Sequence, residues 1–205
     1  MIAITIAVGA KYEAAAKLAV ESCEKMTGLR AFTLRNTGAC PPAKFKLRLL
    51  EMFPLQTIFY FDADARFLRP WDPRQYEDSS SVVTVLDWPS AARNDDCTTF
   101  GINPSRYFAS GFWIANARHH AAAWAEARKI AHDPDYRTSF KYEQTALNTA
   151  VQLAGLPVTN LDRRYWWIPT RDHPAPPDVV TVARGGDAPE DQIAYDEAVR
   201  NARVA

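Results

Sequence analysis

Residues 57–72 read TIFYFDADARFLRPWD, and the interpretation of the whole chain depends on this stretch. It begins with an apolar, β-prone run, Thr57–Phe61, which is typical of a strand buried on both faces. Asp62 and Asp64 follow, two residues apart. In an open α/β sheet the ligand crevice lies outside the carboxyl ends of the strands, so these carboxylates fall where a ligand binds. Two hard oxygen ligands suit Mg²⁺ or Mn²⁺, whereas the structural alternative is a strand that ends in two solvated aspartates.

Strands and helices alternate on both sides of this stretch. Strands are predicted at 2–8, 31–35, 57–61, 82–86 and 112–116, with short strand-like runs at 156–161 and 178–183. Helices are predicted at 11–26, 43–53, 118–132 and 142–154, with an amphipathic surface helix at about 188–205 and a polar loop at 88–106. This alternation predicts an α/β fold with a mostly parallel central sheet flanked by helices. The 205 residues suit a single domain over 1–205.

Charge and cysteine content exclude several classes of function. Twenty-four basic residues balance 24 acidic ones, which disfavours nucleic acid and polybasic membrane contact as the main function. No run approaches the roughly 18–20 apolar residues of a transmembrane helix, and the apolar N-terminus reads as a first strand. The three cysteines show neither zinc nor disulfide spacing. We therefore expect three free thiols, a reducing compartment and a cytoplasmic location.

Lys46 lies on the apolar face of the predicted helix 43–53, in line with Leu49, Leu50 and Phe53. A lysine on a face of this kind either extends its ammonium group to solvent or contacts an anion. The helix leads directly into the strand of Asp62, so a diphosphate is a plausible anion. Both interpretations remain open from the sequence.

The segment Tyr142–Asn148, YEQTALN, places Glu143 one turn before Leu147 on an apolar helical stripe. An acidic residue in the first turn can simply stabilise the helix through a favourable interaction with the helix dipole. It can also line a polar cavity with Gln144, where carboxylate and amide groups suit sugar hydroxyls.

Two other segments carry small or ionisable residues. In Phe108–Asn116, FASGFWIAN, the small residues Ser110 and Gly111 allow a backbone to approach a ligand closely, or simply allow tight packing. His119 and His120 are expected at the surface. His173, on a proline-rich loop, is a candidate late metal ligand.

Taken in order, these segments resemble the nucleotide-sugar glycosyltransferases of the GT-A fold, in particular family 8, with glycogenin and the bacterial galactosyltransferases. The matching segments are a first strand with a small-residue loop (Ile4–Tyr12), the basic residue Lys46, FYFDADARFLRPWD, YFASGFWIANARHH and YEQTALN. The resemblance spans roughly residues 1–165.

The resemblance implies a metal-dependent transfer of a sugar from a nucleotide-diphospho-sugar, UDP-linked by expectation, with retention at the anomeric carbon. The acceptor is an unknown saccharide, lipid-linked glycan or protein. The implied metal is Mn²⁺ or Mg²⁺, held by Asp62 and Asp64 with His173 as a further candidate. The implied donor contacts are Val8, Lys11, Tyr12, Lys46, Ala63, Ser110, Gly111 and Arg184, and the implied catalytic residues are Glu143 and Gln144.

The chain departs from the family pattern at several positions. Ala109 stands in place of the family's Asn, and Glu143 and Thr145 stand in place of two aspartates. The family's late His-x-x-Gly-Lys-Pro-Trp segment corresponds to Val179–Gly186, which has no His but offers Arg184 for phosphate.

Two alternatives to the glycosyltransferase remain open from the sequence. The first is a nucleotide-sugar-binding module with weak or no turnover. The second is a HAD-type phosphohydrolase, with Asp62 as nucleophile, Asp64 as acid and base, and Gly185–Asp191 as a late metal motif.

Overall fold

The computed structural model describes residues 1–138, 142–184 and 189–202. The strands are β1 (Ile2–Ile6), β2 (Ala31–Leu34), β3 (Thr57–Phe61), β4 (Arg66–Phe67), β5 (Val82–Leu86), β6 (Phe108–Asn116), β7 (Val158–Asn160) and β8 (Thr181–Val182). The α-helices are α1 (Ala10–Thr27), α2 (Pro42–Phe45), α3 (Leu49–Met52), α4 (Ala91–Thr99), α5 (Ala117–His132), α6 (Tyr142–Leu153) and α7 (Pro189–Ala202). No helix in these ranges combines the length and the apolar character needed to cross a membrane.

The central sheet confirms the predicted class. Within the described residues, six strands pair in the order β2-β1-β3-β6-β5-β7, and β4 pairs with β8 in a second, antiparallel sheet. The central sheet is mostly parallel and flanked by helices: β1 runs parallel to β2, β5 runs parallel to β7, and β6 is antiparallel to β5. Because β1 lies between β2 and β3, the chain order reverses there, and such a reversal is where ligands bind in open α/β sheets.

By its internal contacts the chain divides into two compact units. Unit 1 comprises Met1, Thr37–Phe59 and Tyr76–Leu161. Unit 2 comprises Ile2–Asn36, Tyr60–Gln75 and Asp162–Ala205. The single domain over 1–205 stays a prediction.

Unit 1 is built around β6, whose nine residues are all buried. Trp113 packs edge-to-face on Trp124 of α5, with ring centroids 5.0 Å apart. Phe112 packs edge-to-face on Phe59 of β3, at 5.2 Å. Since successive strand residues point to opposite faces, these contacts cover β6 on both sides, as its continuous apolar sequence indicates.

Unit 2 joins β1, β2 and α1 to the small β4–β8 sheet and to α7. Phe67 of β4 packs edge-to-face on Phe61, with ring centroids 5.1 Å apart. Val179, Val182 and Tyr195 form a buried cluster that holds α7. α1 ends at Thr27 and is capped by Gly28, whose φ of 65° is a left-handed conformation that glycine adopts without strain.

The structure corrects three local predictions in unit 1. The segment 88–106 is not only loop: Ser90 caps α4 by accepting a hydrogen bond from the Arg93 N–H. Hydrophobic periodicity does not predict α4, because its buried face carries Arg93, Asp96 and Cys97 rather than an apolar stripe. The helix predicted at 43–53 is interrupted by a 3-10 turn at Lys46–Arg48. The predicted strand at 112–116 begins earlier, at Phe108.

His120 is fully buried, whereas the sequence places it at the surface. Its Nε2 lies 3.1 Å from the Ser80 carbonyl oxygen, and its Nδ1 lies 3.0 Å from the Asn116 N–H nitrogen. A neutral ring with its proton on Nε2 satisfies both contacts, and burial lowers the pKa of His120. His119 is exposed, as expected.

Candidate functional site

The chain turns directly after β3, and this turn carries both predicted metal ligands. The Ala65 N–H donates to the Asp62 carbonyl oxygen at 3.0 Å, which places Asp62 and Asp64 at the first and third positions of a four-residue turn. The Tyr60 hydroxyl donates to Asp62 Oδ1 at 2.8 Å. We call residues Asp62–Ala65 the carboxylate turn. It follows the last strand residue of β3, as the sequence predicts.

Asp64 is held in an environment that disfavours its negative charge. Burial of its carboxyl group, followed by repulsion from Asp62, raises the pKa of Asp64 from 3.8 to about 7. The positive charges of Arg184 and Arg66 offset part of this increase. Two carboxylates that repel each other form a set of oxygen donors that a divalent cation stabilises.

The described residues contain no group of three His, Cys, Asp or Glu side chains that could hold a metal ion. His173 lies in an exposed turn, where its N–H donates to the Thr170 hydroxyl at 3.1 Å, and it does not complete such a group with Asp62 and Asp64. Mg²⁺ is commonly held by only one or two carboxylates together with substrate phosphates and water. The Asp62 and Asp64 pair therefore fits a metal that shares its shell with a diphosphate.

The end of β1 packs against the carboxylate turn. Ala7, Ala16 of α1 and Ala63 form a buried cluster, so the side chain of Ala63 faces the core. Val8 and Tyr12 follow this contact and are 39% and 54% exposed. Lys11 is also exposed, with its Nζ 5.7 Å from the centroid of the Tyr12 ring. The predicted nucleoside contacts thus include an accessible aromatic ring, a group on which bases stack.

Arg184 follows β8 and is half-buried in unit 2. Its charge acts on the Asp64 carboxyl group, so it lies within electrostatic reach of the carboxylate turn. The glycines that follow it, and most of the phosphohydrolase motif predicted at Gly185–Asp191, lie outside the described residues.

Unit 1 holds the other predicted polar residues in a single buried cluster. Lys46 Nζ lies 3.3 Å from Glu143 Oε1, and the two side chains are 5% and 16% exposed. Lys46 Nζ also donates to Ser110, to the hydroxyl at 3.3 Å and to the carbonyl oxygen at 3.4 Å. Lys46 therefore contacts an anion instead of extending to solvent, and the protein itself supplies that anion.

Gln144 continues this cluster. Its Oε1 accepts from the Ser110 N–H at 2.9 Å, and its Nε2 donates to Asp87 Oδ2 at 2.5 Å. We call Lys46, Asp87, Ser110, Glu143 and Gln144 the Lys46 cluster. Gly111 lies beside it in β6, where the small residues are buried in a regular strand.

Sequence reasoning missed three residues of these two sites. Asp87 directly follows β5, in the same position relative to its strand as Asp62, so the strand-end pattern could have identified it. Tyr60 stands inside an apolar strand, and Tyr195 lies far along the chain. No local pattern links either tyrosine to the carboxylates.

No protein-family model matches this sequence, and a comparison with curated proteins found no match. The functional interpretation therefore depends on the residues and their geometry.

Proposed function

We propose that the protein is a metal-dependent glycosyltransferase with a GT-A-like α/β fold, which transfers a sugar from a nucleotide-diphospho-sugar to an acceptor. The observation that carries the proposal is the carboxylate turn, where Asp62 and Asp64 follow a buried strand beside the point at which the chain order reverses. Cytoplasmic location and a UDP-linked donor belong to the same proposal.

Asp62 and Asp64 would hold Mn²⁺ or Mg²⁺ on the donor diphosphate. When bound, this cation supplies neutralisation of the negative charge that develops on the leaving nucleoside diphosphate. Tyr60 orients the Asp62 carboxylate through its hydroxyl group. Arg184, whose positive charge acts on Asp64, would favour an anionic ligand.

The remaining donor contacts are assigned by chemistry and by the resemblance. The exposed ring of Tyr12 suits stacking on a base, and Lys11 beside it suits a phosphate or a ribose hydroxyl. Glu143 and Gln144, with Ser110 and Gly111, are assigned to the donor sugar. The described contacts bring Glu143, Gln144 and Ser110 together with Lys46, and they support this assignment only by their polar chemistry.

A donor screen tests the proposal. The purified chain is incubated with UDP-sugars and GDP-sugars, with Mn²⁺ and with a chelator, and donor hydrolysis is measured in the absence of acceptor. We expect Mn²⁺-dependent hydrolysis of one UDP-sugar by the wild type and none by the Asp62→Asn/Asp64→Asn variant. The absence of both nucleotide binding and turnover would overturn the proposal. Tight UDP·Mn²⁺ binding without turnover would favour the binding module.

A further inference from the structure

The hydroxyl of Tyr195 connects the last described helix to the carboxylate turn. It donates to the carbonyl oxygen of Asp64 at 2.9 Å, across 131 positions of sequence. Tyr195 is only 7% exposed, and its hydrogen bond to Asp64 is partly buried. The acceptor is the backbone of a predicted metal ligand, and the bond therefore restrains the turn itself rather than a neighbouring loop.

Apolar packing also attaches α7 to the rest of unit 2. Tyr195 sits with Val179 and Val182 in the buried cluster, and Ala198 and Val199 pack against it from the same face of α7. These contacts place the tyrosine ring. The hydrogen bond to the carboxylate turn comes from the hydroxyl group, so a variant that keeps the ring separates the packing from the restraint.

The turn carries two such restraints from two tyrosines. Tyr60 holds the carboxylate of Asp62, and Tyr195 holds the main chain of Asp64. One restraint therefore acts on a side chain of the turn and the other on its backbone. Hydrogen bonds that orient metal ligands in this manner commonly change metal affinity about 10- to 100-fold.

We propose that Tyr195 is a positioning residue for the metal–nucleotide site, and that α7 belongs to this site rather than being a surface appendage. The inference rests on the proposed function, since it concerns the cation that Asp62 and Asp64 would hold. It extends that function to a helix that the sequence indicates only as amphipathic.

Isothermal titration of UDP in Mn²⁺ and in chelator tests this role. The ratio of the two affinities measures the coupling between metal and nucleotide, which general loosening of the fold does not change selectively. The variant Tyr195→Phe removes the hydroxyl group and keeps the ring. The matched control Val199→Ala loosens the packing of α7 and keeps the hydroxyl group.

We expect Tyr195→Phe to reduce the coupling ratio about tenfold, with UDP affinity in chelator unchanged, and Val199→Ala to keep the wild-type ratio. A wild-type ratio in folded Tyr195→Phe would overturn the positioning role while leaving the proposed function standing. A wild type without any Mn²⁺-dependent UDP binding would overturn both.

If Tyr195→Phe fails to fold, amide hydrogen exchange of the wild type tests the same role. Ligand binding at the turn should then slow amide exchange in α7 when UDP and Mn²⁺ are both present, compared with UDP in chelator. Unchanged exchange over 189–202 would contradict the link between helix and turn.

Discussion

Lys46 and Glu143 form a buried ion pair, with 3.3 Å between Nζ and Oε1. Both side chains are almost withdrawn from water, so neither charge can be removed without leaving the other uncompensated. Their partner Ser110 lies in a strand that is buried along its whole length. The pair therefore contributes to the structure of unit 1 as well as to any role with a ligand.

Lys46→Met should destabilise the protein by about 3 kcal/mol, because breaking a buried pair on one side leaves a carboxylate without compensation. The double variant Lys46→Met/Glu143→Leu should recover most of this loss. Urea unfolding at pH 7 measures both, with Lys129→Met, on an exposed lysine, as the control. Equal stability of Lys46→Met and wild type would show that the pair carries no net structural role.

Asp62→Asn and Asp64→Asn should each abolish Mn²⁺-dependent UDP binding while the fold survives, because both residues lie in a turn outside the strand. Calorimetric titration measures binding and circular dichroism reports the fold. Unchanged affinity in both variants would remove the metal site.

The stability of Asp64→Asn should depend on pH with a defined sign. The folded-state pKa of Asp64 is raised to about 7, so its folded state holds a proton that the unfolded state releases above about 4. The wild type should therefore lose stability relative to Asp64→Asn as the pH rises from 4 to above 7. Asp62→Asn removes the repulsion and should show a weaker dependence in the same direction.

His120 should make the protein less stable in mild acid. The pKa of this buried imidazole is lowered in the folded state, so below about 6.5 the unfolded state binds the extra proton. Stability should fall as the pH falls through that value, by about 1.4 kcal/mol per pH unit at most. His120→Gln should flatten the profile, and His119→Gln, on the exposed neighbour, should keep the wild-type slope.

Glu143→Gln should reduce donor hydrolysis more than it reduces UDP affinity, because Glu143 is assigned to the sugar and not to the nucleotide. Steady-state hydrolysis and UDP titration separate the two effects, and a thermal melt controls for the lost ion pair. An equal fractional loss of UDP affinity and of UDP-sugar hydrolysis would contradict the assignment.

Beryllofluoride distinguishes the transferase from the phosphohydrolase. A phosphohydrolase uses Asp62 as a nucleophile, so beryllofluoride would mimic its phosphoaspartate and raise the melting temperature. We expect no such shift and no hydrolysis of an aryl phosphate. UDP with Mn²⁺ should instead stabilise the fold by about 2.7 kcal/mol at a hundredfold excess over Kd. Aryl phosphatase activity that is lost in Asp62→Asn would favour the phosphohydrolase.

Local sequence determined the fold class and the position of the carboxylate turn. The apolar run at 57–61 forms β3 with the predicted bounds, because five consecutive buried residues specify a central strand without help from distant segments. Asp62 and Asp64 then fall at its carboxyl end by chain continuity. The same logic placed α1, β2, β5, α5 and α6 within a few residues of their ends.

Only the tertiary structure decided the partners of the charged and polar side chains. Lys46 is 97 residues from Glu143, and Tyr195 is 131 residues from Asp64, so no periodicity relates either pair. Likewise, buried His120 has the Ser80 carbonyl oxygen as a partner, and Ser80 lies 40 positions earlier in the chain. Apolar patterning reports which face of an element is covered, whereas the choice of a hydrogen-bond or ion-pair partner depends on which elements the completed fold brings within about 3 Å.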